Sequence, residues 1–153
     1  MRVDPGVYVP RWHSEQLAER AAARLPADGV AIDLCTGSGA IAKLLMTRRP
    51  GARVVATDVD GRAVACARAN GVEAYEGDLF APLPAGLVAD VVVGVVPYVP
   101  TAELGLLQRD TFTFETTLGY EGGADGTDVL RRVITEAPLR PGGALLLELG
   151  GDQ

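Results

Sequence analysis

From Val30 to Gly39 the chain reads Val-Ala-Ile-Asp-Leu-Cys-Thr-Gly-Ser-Gly, and a helix-forming run, Ala40-Ile41-Ala42, follows at once. An apolar stretch ending in an acid, a turn of small residues and then a helix start is how a βαβ unit opens. A strand buried in a parallel sheet needs a crossover helix to return the chain to the same sheet end. A second apolar run, Arg53-Val54-Val55-Ala56, leads into Thr57-Asp58-Val59-Asp60. Glycine in the turn lets backbone pass close to a ligand, and the helix start offers N–H groups to it. A carboxylate at the tip of the neighbouring strand can then accept both hydroxyls of a ribose. The pattern points to a nucleoside site at the strand ends.

Downstream, apolar runs keep alternating with helical patterns, which predicts a mostly parallel sheet with helices on both faces. Ser14 is placed to cap a helix reaching Leu25, with Leu17, Ala21 and Leu25 on one stripe. Strands are predicted over 31–34, 54–57, 72–75 and 90–94, the last built on three consecutive valines. Helices are predicted over 40–49 and 62–69, with Asn70-Gly71 as a stop. Val129, Leu130, Val133, Ile134 and Ala137 define a further helix face. Pro141-Gly142-Gly143 turns into a final strand from Ala144 to Leu149. Val7-Tyr8-Val9-Pro10 reads as the end of a short strand or hairpin arm, 103–108 as a helical turn and 112–118 as a weak edge strand. The fold class is α/β and Rossmann-like, one domain over residues 1–153, with residues 1–12 an N-terminal strand or arm.

Composition narrows the function. The 14 basic and 20 acidic residues give a net charge of -6. A surface of that sign repels phosphate backbones, and no basic run offsets it, so nucleic acid is not an expected partner. Cys35 and Cys66 form no Cys-x-x-Cys pair, so neither a disulfide framework nor a metal site is expected. No apolar stretch is long enough for a membrane span, and a reduced, cytoplasmic setting is the expectation.

Each ligand-facing residue has a plainer alternative. Asp58 can serve the ribose or cap the next helix, a task Asp60 can also fill. Asp78 ends the third strand, where it can accept an adenine amino group or close an Asx-turn. A dinucleotide fingerprint requires a third glycine near Ile41 or Ala42, and none is there. The observed Asp33-x-x-x-Gly37-x-Gly39 spacing instead resembles motif I of class I S-adenosylmethionine methyltransferases, with Cys35 where a first glycine often stands.

Further motifs make the resemblance specific. Gly6-Val7-Tyr8-Val9-Pro10-Arg11, Asp33 to Ala42, Asp58-Val59-Asp60, Gly77-Asp78-Leu79-Phe80, Gly122-Gly123-Ala124-Asp125-Gly126 through Arg132, and Leu139-Arg140-Pro141-Gly142-Gly143 through Gly150 occur in the order seen in the HemK/PrmC family. These are protein-(glutamine-N5) methyltransferases that modify the Gly-Gly-Gln loop of peptide release factors. The resemblance implies S-adenosyl-L-methionine as cofactor, S-adenosyl-L-homocysteine as product and a protein substrate such as a release factor. It implies a cofactor site of Asp33, Cys35, Thr36, Gly37, Ser38, Gly39, Asp58, Val59, Asp78, Leu79 and Val95. No metal is implied.

Three departures stand out. The family's Asn-Pro-Pro-Tyr motif, whose Asn and following carbonyl hold the glutamine nitrogen, reads Val95-Val96-Pro97-Tyr98 here. These four residues are the candidate catalytic loop. Valine offers no side-chain acceptor, and losing one orienting bond costs about 2–4 kcal/mol of transition-state stabilisation. The family's N-terminal helical domain has no counterpart, the chain opening at the catalytic domain. Two further strands of the family sheet are also absent, so the sheet is expected to be truncated after its fifth core strand. The exposed edge from Ala144 to Leu149 is then expected to meet a second copy or a partner, the alternative being that the chain is a fragment of a longer one. The functional expectations are therefore three: an active glutamine methyltransferase, a cofactor-binding pseudoenzyme or regulatory subunit, and a small-molecule methyltransferase. A nicotinamide dehydrogenase is a distant fourth. Tyr98 either meets the acceptor or lines the loop, and His13 starts a helix.

Overall fold

The computed structural model describes residues 1–107 and 119–150. Its centre is a five-stranded sheet in the order β3-β2-β1-β4-β5, every pair parallel. The strands are β1 (Val30–Leu34), β2 (Arg53–Asp58), β3 (Glu73–Glu76), β4 (Ala89–Gly94) and β5 (Leu139–Leu147). The helices are α1 (Trp12–Arg24), α2 (Ala40–Arg48), α3 (Gly61–Ala69) and α4 (Asp128–Glu136), with a 3-10 segment at Thr101–Leu106. Among the described residues no helix is long and apolar enough to cross a membrane. The 112–118 expectation lies outside the described residues.

Strand pleating divides the core in two. Ala31, Val91 and Val93 face the side covered by α1 and α2, where Ala18, Ala21 and Ala22 let the helices come close. Ile32, Leu34 and Val92 face the side closed by Leu130 and Val133 of α4. With β1 between β2 and β4, its tip lies at the middle of one sheet end, next to the tips of both neighbours.

Four expectations need correction. Residues 7–10 form an irregular arm and not a strand. Ser14 does not cap α1: the helix starts earlier, at Trp12, with Arg11 in the cap position and no side-chain cap, and Ser14 is buried within its first turn. Ile134 leaves the predicted helix face and is 64% exposed, because α4 docks through Leu130 and Val133 alone, one turn apart, with Val129 and Ala137 half-buried. Finally, Pro141-Gly142-Gly143 does not precede the last strand but lies inside it. Ala89 pairs with Leu139 and Val91 with Ala144, so β5 carries extra residues as a bulge, with Gly142 at φ 81°. Leu149, expected in the strand, lies beyond it.

Candidate active site

The turn after β1 is held by one buried carboxylate. Asp33 Oδ2 accepts from Thr36 Oγ1 at 2.6 Å and from the Ala42 N–H of α2 at 3.1 Å. Asp33 therefore braces the turn from beneath and lines none of the clefts described below. Its Oδ1 is buried without a partner, and burial pushes its carboxyl up to about 7. Gly39 closes the turn with its N–H on the Thr36 carbonyl at 2.9 Å and a φ of 82°. A side chain at Gly39 would press on the Ala67 backbone of α3 as well as straining that φ.

Across the strand ends, Asp58 faces this turn. Its Oδ2 accepts the Gly37 N–H at 2.9 Å and its Oδ1 the Asp60 N–H at 3.0 Å. The helix-capping alternative falls to Asp60, whose carboxylate accepts the Arg62 N–H at 2.9 Å. Among the described residues Asp58 makes no ion pair, and burial moves its carboxyl above the ordinary range. Backbone N–H groups of Gly37, Asp60 and Val59 face this carboxylate, whose two oxygens together offer about four lone-pair directions, which leaves acceptance to spare.

These groups open on a cleft that reaches solvent, about 800 Å³ with its open mouth included. Cys35, Asp58, Val59, Asp78, Leu79 and Pro97 are among its walls. Cys35 and Leu79 are the only non-glycine residues with positive φ among those described, at 52° and 44°, and both line it. Backbone strain of this kind gathers where a chain must bend around a ligand. It also explains why glycine suits the Cys35 position. Burial among carboxylates pushes the Cys35 thiol far up, which keeps it protonated. Thr36, Ser38 and Val95 line a smaller adjoining cavity of about 320 Å³ that Cys35 shares. Val96 reaches neither and is fully buried against Ile32, Leu34 and Val92.

The sequence offered Tyr8 and Trp12 either as an apolar wall near the substrate mouth or as packing residues; it did not reveal that Gly6 and Val7 join Tyr8 in one wall of the large cleft, nor the contacts that follow. The arm is fastened by Arg11, whose guanidinium lies 4.8 Å from the Tyr8 ring centre and donates to the Tyr120 hydroxyl at 3.2 Å. Arg132 of α4 lines the cleft and donates two bonds to Asp78, at 3.2 and 2.8 Å, so Asp78 is ion-paired and makes no Asx-turn. Val129 and Glu121 line it too. Trp12, by contrast, is 77% exposed and belongs to no wall of the cleft.

Together, the parallel sheet order, the braced glycine turn and the acid on the next strand, which makes no ion pair among the described residues, have the Rossmann-like architecture of class I S-adenosylmethionine-dependent methyltransferases. Residues 11–83 match the family model of the methyltransferase small domain. The chain is similar in sequence to release factor and ribosomal protein uL3 glutamine methyltransferases. It is 42% identical to the release factor glutamine methyltransferase of Moorella thermoacetica, over 99% of this chain and 57% of that one. It is 37% identical to the ribosomal protein uL3 glutamine methyltransferase of Bordetella pertussis, over 99% of this chain and 55% of that one. The chain thus spans little more than half the length of the curated relatives it matches. In fold, a methyltransferase from Pyrococcus furiosus superposes with a TM-score of 0.67 at 22% identity, over 99% of this chain and 69% of that one.

Proposed function

We propose that the chain binds S-adenosyl-L-methionine and transfers its methyl group to the side-chain nitrogen of a protein glutamine, releasing S-adenosyl-L-homocysteine. The carrying observation is Asp58: it stands at the tip of β2 beside the glycine turn, relieved of helix capping by Asp60 and of any described ion pair. The residues present fit an adenosyl group. Asp58 takes the ribose hydroxyls, Val59, Leu79 and Val129 give the purine an apolar slot, and Asp78 stands at its polar edge. Cys35, Thr36, Ser38 and Val95 line the side toward the amino-acid tail. When bound, the cofactor supplies an electrophilic methyl on a sulfonium, so the chain's own task is to orient an acceptor and keep it dry.

A release factor is the first protein substrate to try, and ribosomal protein uL3 the second, following the names of the two relatives. The two free cysteines suit a reduced, cytoplasmic setting. β5, with its half-buried leucines, is one edge of the sheet, and a second copy or a partner covering that edge is part of this proposal. A second reading, transfer to a small and less polar acceptor or a loss of transfer altogether, draws on Val95, which gives the smaller cavity an apolar wall.

Calorimetric titration tests the reading. S-adenosyl-L-homocysteine is expected to bind, and Asp58→Ala to weaken it by about 10- to 100-fold, as loss of charge-assisted bonds worth ~1.5–3 kcal/mol requires. Heat with NAD and none with S-adenosyl-L-homocysteine refutes it. Labelled-methyl transfer to release factor, to uL3 and to free glutamine then separates the acceptors.

A further inference from the structure

A primary amide needs an oxygen beside it to accept an N–H and aim the nitrogen at an electrophile, and the first three side chains of the 95–98 loop offer none. Val95 faces the smaller cavity, Val96 the core and Pro97 the large cleft. Tyr98, whose ring packs on the cluster of Ile32, Leu34 and Val92, also borders a third cavity beside α1, of about 700 Å³ with its open mouth included. There its hydroxyl donates to Glu148 Oε1 at 3.4 Å, and His13 Nε2 of α1 meets the same oxygen at 3.0 Å. Gln16 and Arg20 complete the polar lining.

Glu148 lies one step past the end of β5. The last pair of the register is Gly94 with Leu147, and the Glu148 N–H donates to the Gly94 carbonyl at 3.4 Å. Glu148 is therefore level with Val95 on the adjacent strand, about 4.8 Å across the sheet. Pleating puts both on the same face, since Leu146 and Val95 pack on the α1 and α2 side while Leu145 and Leu147 pack on the other. Among the described residues, the hydrogen bond and the ion pair to Glu148 both fall on Oε1.

We propose that Glu148 Oε2 is the acceptor for the N–H of the incoming amide, doing from β5 what residue 95 does not do from the loop, with His13 and Tyr98 fixing its carboxylate. This rests on the reading of the chain as a glutamine methyltransferase. In the transfer, the amide nitrogen forms a bond to the methyl carbon while the carbon–sulfur pair stays on sulfur. The nitrogen then gives one proton to Glu148, which passes it to water in the open cavity.

The test uses the full chain and a synthetic Gly-Gly-Gln peptide. Trp12, the single tryptophan, packs edge-on to His13 at 5.6 Å, so its emission reports peptide arriving in this cavity independently of turnover. Glu148→Gln is expected to lower kcat by about 10- to 100-fold, as for other single hydrogen bonds to a reacting group. It should also weaken the peptide titration seen through Trp12 while leaving S-adenosyl-L-homocysteine affinity within about twofold. Glu148→Asp should fall between, and adding Val95→Asn to the Glu148→Gln chain should restore at least about tenfold of the lost rate. Unchanged kcat and unchanged peptide affinity in a folded, cofactor-binding Glu148→Gln chain overturn this inference alone. If the wild-type chain binds cofactor yet leaves the peptide unmethylated, the functional reading falls, and a Trp12 titration unaffected by Glu148→Gln then removes this inference as well.

Discussion

Asp33 should make stability fall as pH rises, the reverse of what an arginine-paired carboxylate does. Native burial holds its carboxyl near 7, against an ordinary value of 3.8 in the unfolded chain. Below 3.8 both states are protonated and nothing is lost. Between the two values the unfolded chain has released the proton that the native chain still binds, so each pH unit removes about 1.4 kcal/mol. Above 7 both are ionised and the loss is complete, at roughly 4 kcal/mol over the whole interval. Urea unfolding from pH 4.5 to 8 measures this on the wild type and on Asp33→Asn. The amide keeps an oxygen for Thr36 and Ala42 but cannot titrate. Subtracting the two curves cancels the other groups, including Asp60 and Glu73, whose arginine partners hold them below their usual range and tilt the curve the other way. The difference curve should slope downward from about pH 4 to about pH 7, following the linkage relation. A flat difference, or one that rises, refutes the account of Asp33 as a neutral brace.

Two further expectations concern α4. Val133→Ala should destabilise by about 1–3 kcal/mol because the side chain is fully buried, whereas Ile134→Ala, on the exposed side, should stay within about 0.5 kcal/mol, both read by urea denaturation. Arg132→Ala should cost under about 1 kcal/mol of stability, since its pair with Asp78 is solvent-exposed. The same change should tighten S-adenosyl-L-homocysteine binding in calorimetry by freeing Asp78; weaker binding refutes the view that the ion pair competes for that carboxylate.

The sheet was readable because each of its strands carries a local signature. Three valines mark β4, and the acid-tipped apolar runs mark β1 and β2. The turn was readable too, because Gly37 and Gly39 flank a fixed spacing from Asp33. What the sequence hid depends on contacts between distant segments. Nothing near Arg132 announces that Asp78 lies opposite, and nothing near Glu148 announces His13 of α1. The β5 bulge was hidden for another reason. Proline and two glycines signal a turn locally, and only pairing with β4 on both sides turns that signal into a break within one strand. Asp33 was placed at the ligand because its position in the motif is fixed, while its burial beneath the turn is a matter of packing.

The loop after β4 has a consequence for how such a chain changes over time. Val95 borders the smaller cavity, Pro97 the large cleft and Tyr98 the cavity beside α1, while Val96 and Tyr98 share the packing of one core cluster, so Val95 and Pro97 are the positions that change most independently. The walls of the cavities around this loop can drift here one letter at a time. Lengthening or shortening the same stretch by one residue would instead reassign all four outlooks at once, so the loop invites replacement and resists insertion.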